Sequence, residues 1–157
     1  MISNKIDELI TSARSSKDRD LLNILTMIKA EFQKVKTAKD RKTTGELTEV
    51  EEAKALLAMV EQREGSIKEY LKGGRKDLAE NEQHDIDVIR PYIPEAPSDE
   101  ELKEYVASAV TAYKVAKEDG YALSMRDMKP LIAIVQAKYP TAPGKIISST
   151  LQGILRG

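Results

Sequence analysis

Apolar residues recur along this chain in steps of three and four, the spacing that lines one face of an α-helix, and no alternating strand pattern competes. Ile6, Leu9, Ile10 and Ala13 share a face, which predicts a first helix opening after Ser3. A second is expected near Asp18 or Asp20, with Leu21, Leu25, Ile28, Phe32 and Val35 inward; Leu22 and Ile24 widen its stripe, so more than one side should be covered. Thr37 to Gly45 is basic, polar and without period, and reads as a mobile loop. Thr48 and Glu51 then stand as a capping box, in which hydroxyl and carboxylate each satisfy a free backbone N–H. The third helix follows with Ala53, Leu57, Val60, Ile67 and Leu71, and Gly73-Gly74 stops it. The fourth carries Leu78, Ile86 and Ile89 and ends at Pro91.

Pro91, Pro94 and Pro97 break the chain in quick succession and read as a linker. Ser98 and Glu101 supply another capping box, followed by Leu102, Val106, Ala109, Val110 and Tyr113 on the inner face of a fifth helix. Ser124 with Asp127 repeats that start signal for a sixth, whose inner face is Met128, Leu131, Ile132, Val135 and Tyr139. A helix starting at Ser124 would carry Pro130 beyond its first turn, at the cost of a backbone hydrogen bond. A distorted first turn, or a start nearer Asp127, is therefore expected. Pro140, Pro143 and Gly144 mark a turn into a seventh helix with Ile147, Leu151, Ile154 and Leu155 inward. The expected fold is all-α. It comprises an N-terminal helical domain over residues 1–93, a proline-rich joint, and a C-terminal three-helix bundle over residues 98–157.

Composition narrows the chemistry. A chain of 157 residues hides roughly two-thirds of its unfolded surface and needs no metal or disulfide to hold it together. Hydrophobic residues at 41% and charged residues at 32% fit a folded helical protein and argue against disorder. Aromatics are only 4%, with Phe32 the single phenylalanine and no tryptophan, so Leu, Ile, Val and Met must fill the core. The absence of cysteine excludes disulfides, thiolate metal sites and cysteine nucleophiles, and fits a cytoplasmic location. Asp7 and Glu8 interrupt the first apolar stretch, which argues against a secretory signal. Leu131 to Ala137, with Gln136 inside it, falls far short of a membrane span, so no membrane partner is expected.

Net charge is −1, which gives no overall pull towards nucleic acid. Two stretches are locally basic. Lys29, Lys34, Lys36, Lys39, Arg41 and Lys42 face only Glu31 and Asp40; Arg126, Lys129, Lys138, Lys145 and Arg156 face only Asp127. The tail reads either as a solvated face or as a phosphate-contacting surface, because lysine and arginine pair with a sugar-phosphate backbone and displace its counterions. Arg126, Lys129, Lys138 and Lys145 are the nucleic-acid-contact candidates.

Other chemistry finds little support. Gly73-Gly74 follows a helix rather than a strand, so it is no phosphate loop. His84 is the single histidine, which leaves no metal-ligand spacing and no nucleophilic triad; it reads as an ordinary surface or packing position. No catalytic residue, metal site or cofactor is expected. Arg63 and Tyr70 share one face of the third helix, and Arg75 and Glu82 one face of the fourth. If the two fold back at Gly73-Gly74, these four are expected to form a hydrogen-bonded structural cluster.

The stretch from Gln62 to Pro94, QREGSIKEYLKGGRKDLAENEQHDIDVIRPYIP, resembles the middle of the GatB/YqeY family, helical proteins related to the tail of the GatB component of aspartyl/glutamyl-tRNA amidotransferase. The similarity extends from about Leu21 to Leu155. It is strongest at Arg63, Ser66, Ile67, Tyr70, Gly74, Arg75, Asp77, Leu78, Ala79, Glu82, Ile86, Tyr92 and Pro94, which fall on family positions. Ser124-Met125-Arg126-Asp127-Met128 is similar to the family's Ser-Met-Lys-Asp-Met-Gly. Lys129-Pro130 departs from the family's Gly-Lys, and Thr141-Ala142-Pro143-Gly144 from its Arg-Ala-Asp-Gly, which weakens any nucleic-acid role for that turn. The resemblance implies an N-terminal helical domain, a proline-marked joint and a C-terminal three-helix domain. It also implies tRNA or another structured RNA as partner, because the related tail lies against tRNA during amide formation. A carbon–nitrogen ligase label with glutamine as amide donor would be inherited from that relative. Its chemistry needs ATP and glutaminase motifs that this chain does not show. A protein adaptor, or an accessory component of an amidotransferase, is the alternative.

Overall fold

The computed structural model describes residues 1–156, which form seven α-helices and no strand. The helices are α1 (Ile6–Ser15), α2 (Arg19–Thr37), α3 (Glu49–Lys72), α4 (Lys76–Ile89), α5 (Asp99–Val115), α6 (Met128–Lys138) and α7 (Gly144–Arg156). Single 3-10 turns lie at Ile2–Asn4, Arg90–Tyr92 and Met125–Asp127. The all-α expectation holds. The contacts divide the chain into two compact units, Met1–Pro94 and Glu95–Gly157, each with its own apolar core.

In the first unit α3 and α4 pack as a hairpin, and α2 packs against both. Ile24, Leu25, Ile28 and Phe32 of α2 meet Leu56, Met59 and Val60 of α3 and Ile86 and Ile89 of α4; Ile6 and Ala13 of α1 complete the cluster. The inner face of α3 differs from the expected stripe. Leu56 and Met59 are buried, Leu57 is half-buried, and Leu71 beside the hairpin turn is 55% exposed. Neighbouring leucines both satisfy a three-or-four spacing, and the packing partners choose between them.

Helix ends explain the hairpins. The Tyr70 carbonyl accepts from the Arg75 N–H at 2.8 Å and the Leu71 carbonyl from the Gly74 N–H at 3.2 Å. This is a Schellman motif, with Gly74 in the left-handed region at φ +73°. The turn from α1 to α2 repeats it with a lysine. Ala13 accepts from the Asp18 N–H, Arg14 accepts from the Lys17 N–H, and Lys17 takes φ +58°. The Asp18 carboxylate then accepts from the Leu21 N–H at 3.1 Å and starts α2 without a spacer.

The segment expected to be mobile is instead tied down. Arg41, its side chain only 7% exposed, donates to both carboxylate oxygens of Glu51 and to the carbonyls of Gly45 and Glu46. Leu47 is buried in the core. The same contacts correct the capping box. Thr48 accepts from the Glu51 N–H at 3.1 Å, but the Glu51 carboxylate turns to Arg41 and Thr43. A guanidinium offers a carboxylate more than one backbone amide does. Glu52 beside it is buried and accepts from the backbone of Ile2 and the hydroxyl of Ser3, which pins the first 3-10 turn to α3.

In the second unit each helix packs against the other two. Leu102, Val106, Ala109 and Val110 of α5 enclose the core with Met128, Leu131 and Val135 of α6 and Ile147 and Leu151 of α7. Ser98 and Glu101 form the complete capping box. Met125–Asp127 is a 3-10 turn and α6 proper begins at Met128. Pro130 thereby falls in the first helical turn, where its missing N–H has no intrahelical partner to lose.

Two glycines separate conformational strain from bulk. Gly74→Ala is expected to destabilise the N-terminal unit by about 1 kcal/mol in urea denaturation, because alanine resists the left-handed region. Gly73→Ala, at φ −83° and with ordinary space around its new methyl, is expected to be neutral or slightly stabilising. Lys17→Gly should stabilise by roughly 0.5 kcal/mol for the converse reason.

Candidate functional site

The two basic stretches differ in how the fold uses them. In the first, Lys29 pairs with Asp7, Lys34 with Glu31, Lys36 with Glu46 and Arg41 with Glu51. Those four are paired within their own unit, while Lys39 and Lys42 make no ion pair among the described residues. The nine ion pairs among the described residues all lie in Met1–Pro94, and none joins side chains of the second unit.

Arg126, Lys129, Lys138 and Lys145 are all exposed. Arg126 sits in the 3-10 turn and Lys129 is the second residue of α6; Lys138 ends α6 and Lys145 is the second residue of α7. They therefore fall as two pairs, one at each end of α6. Lys129 and Lys138 are nine residues apart, which places them about 13 Å apart along the axis and half a turn out of phase. Lys138 lies 4.7 Å from the centre of the Tyr105 ring, a cation–π contact that leaves its charge uncompensated by any acid. Lys145 stands where a helix dipole disfavours a cation, and the first turn of α7 holds no acidic residue. The turn between Lys138 and Lys145 buries the Thr141 hydroxyl with no protein partner.

Asp127, the single acid between Arg126 and Arg156 in the sequence, is consumed by neutral donors. Its carboxylate accepts from the Ser124 N–H at 2.9 Å, the Tyr113 hydroxyl at 2.9 Å and the Tyr121 hydroxyl at 2.8 Å. The Ser124 amide and the Tyr121 hydroxyl hold its pKa below the ordinary aspartate value, against the opposing effect of burial. The same bonds push both tyrosine hydroxyls above theirs. Lys117 lies over the two rings, 4.9 Å and 5.9 Å from their centres. The sequence marked Asp127 only as a capping residue. That two tyrosines six and fourteen positions away also converge on it had no local signal.

The expected cluster of Arg63, Tyr70, Arg75 and Glu82 does not form as a hydrogen-bonded unit. Arg63 reaches Asp85 at 3.4 Å and the Met59 carbonyl at 3.2 Å. Arg75 turns to Asp77 on its own helix, at 3.1 Å. Glu82 makes no hydrogen bond or ion pair among the described residues, although it lines the same groove as Arg63. The Schellman turn presents Arg75 next to Asp77, and that nearer carboxylate wins. His84 is exposed, 3.5 Å from Asp20. Among the described residues no three His, Cys, Asp or Glu side chains gather as metal ligands, and no helix is long and apolar enough to cross a membrane.

The chain belongs to the Yqey-like protein family, whose model matches residues 3–155. Curated relatives carry the name "Altered inheritance of mitochondria protein 41, mitochondrial". The protein of Lachancea thermotolerans is 28% identical over 126 residues, covering 67% of each chain. That of Clavispora lusitaniae is 44% identical over 62 residues, 38% of this chain and 36% of the relative. That of Candida glabrata is 40% identical over 81 residues, 50% of this chain and 44% of the relative. The chain thus spans well under two-thirds of the latter two. These names overturn the cytoplasmic expectation, since they point to mitochondria. Lack of cysteine excludes disulfide chemistry but does not distinguish one reducing compartment from another.

The Asp127 contacts carry a pH signature. A depressed carboxyl pKa contributes stability that is present above the unfolded value and lost as pH falls through the folded one. The raised tyrosines contribute stability present below their unfolded value and lost as pH rises through the folded one. Asp127→Asn is therefore expected to speed amide exchange in α6 at neutral pH. That effect should shrink as pH is lowered into the acid range and the wild-type carboxyl takes up its proton. Equal effects at neutral and acid pH would contradict this account.

Proposed function

We propose that the chain is a non-catalytic accessory module that binds structured RNA, with tRNA as the expected class, through its C-terminal unit. One observation supports this reading above the rest: the cations at the ends of α6 and the start of α7 have no carboxylate partners, whereas Lys29, Lys34, Lys36 and Arg41 of the other basic stretch are each ion-paired within their own unit. Lys129 and Lys145, unpaired beside the positive ends of helix dipoles, suit phosphate. Lys129 and Lys138, about 13 Å apart along α6 and half a turn out of phase, suit separate segments of a folded RNA rather than one small anion. Kinship with the GatB tail of the amidotransferase belongs to the same proposal, as does work alongside an amidotransferase. Any carbon–nitrogen ligase label then describes the complete enzyme and not this chain.

A second reading, a protein adaptor, is favoured by the outward face of α6. Pro130, Ala133 and Ala137 are exposed there, and Ile134 is 39% exposed. A modest apolar stripe of this kind also suits helix-in-groove docking.

Filter binding to tRNA separates the two readings. Affinity is expected to fall steeply between about 50 and about 500 mM salt. Lys129→Ala and Lys145→Ala should each weaken binding evenly across RNA sequences and reduce the log–log salt slope by roughly one. Salt-independent affinity, or variants indistinguishable from wild type, would rule out the phosphate-contact reading.

A further inference from the structure

Between α2, α3 and α4 lies a groove of about 300 Å³ whose walls hold two opposite charges that do not meet. One is Arg63, its side chain only 11% exposed. Its Nε–H goes to Asp85 and one Nη1–H to the Met59 carbonyl, while Nη2 finds only the Met27 thioether at 3.3 Å. A guanidinium carries five N–H donors and a thioether is a weak acceptor, so the edge turned towards Met27 is poorly satisfied. The other charge is Glu82, half-buried and without any hydrogen bond or ion pair among the described residues. Glu31, the remaining acid on the groove wall, is already held by Lys34 at 2.7 Å.

We propose that this groove binds a small zwitterion, such as a free α-amino acid, with its ammonium on Glu82 and its carboxylate on the Nη2 edge of Arg63. Each wall excludes the simpler ligands. A plain anion, phosphate included, meets the unpaired Glu82 carboxylate, and a plain cation meets Arg63. A molecule with both charges a few bonds apart satisfies both, and charged groups gain most from partners where water is partly excluded. Met27 is 41% exposed, and a flexible thioether on an exposed side chain gives way readily to a carboxylate. The size of the groove suits a single amino acid. The site lies in the N-terminal unit, whereas the proposed RNA contacts lie in the other, so the two stand or fall separately.

The methionines supply the measurement. The full chain labelled at its methionine methyls has Met27 and Met59 lining the groove, with Met125 and Met128 in the second unit as internal controls. Titration with glycine is expected to shift the Met27 and Met59 methyl signals and leave Met125 and Met128 unmoved. Acetate and methylamine, each carrying half of the zwitterion, should bind at least about tenfold more weakly. Glu82→Gln removes a charge that supports no contact in the fold, and should weaken glycine by about tenfold while the methyl spectrum of the free protein stays intact. The absence of any shift up to about 50 mM glycine would overturn the proposal. So would acetate binding as well as glycine, or glycine binding unchanged by Glu82→Gln, either of which makes this a simple anion site. Displacement of the Met27 and Met59 signals by tRNA but not by glycine would assign the groove to RNA and sink it equally.

Discussion

Backbone groups left unbonded at helix ends are the constraint on which this structure depends. Seven helices in so short a chain create many such ends, and each must find a partner close at hand. Asp18, Thr48, Ser98 and Asp127 answer at the starts, while Lys17 and Gly74 turn the chain at two of the stops. Acidic residues gather at the starts of α3 and α5, three in each first turn, where the dipole favours them. What remains of the charge is distributed by that prior demand.

The consequence differs between the two units. In the first, packing brings Lys29 and Lys36 of α2 within reach of Asp7 on α1 and Glu46 in the segment before α3, and much of the basic run is paired. In the second, Asp127 is the single acid between Arg126 and Arg156 in the sequence, and two tyrosine hydroxyls and a serine amide saturate it. The tail therefore keeps its positive charge. Acids and bases balance over residues 95–157, so the second unit is neutral as a whole and its positive charge is local to the stretch from Arg126 to Arg156. The same logic applies in the α2–α3–α4 groove. Arg63 commits to Asp85 and leaves Glu82, one helical turn away, without a cation.

Much of the fold was legible because its signals are local. The stripe of α2, the stop at Gly73-Gly74 and the complete capping box at Ser98 involve residues three to five apart, and all appear as read. Pro130 even indicated where α6 could begin. Errors arose where two local readings were equally good. Leu56 and Leu57 both fit the period of α3, and only the approach of α2 and α4 selects Leu56. Glu51 could serve its own helix or Arg41, and the guanidinium took it. The buried Glu52 left a faint trace, since it lies four residues before Leu56 on the inward face.

The chain alone determined helical class, helix ends, the break at the prolines and the placing of basic residues, because backbone hydrogen bonding and hydrophobic period act over a few residues. Tertiary structure decided which charges are spent. Ile2 with Glu52, Arg63 with Asp85 and Tyr113 with Asp127 are separated by 50, 22 and 14 residues. Partners so far apart in sequence meet only when packed helices carry them together, and Coulomb attraction at a few ångströms then selects one pairing among several that the sequence leaves equivalent.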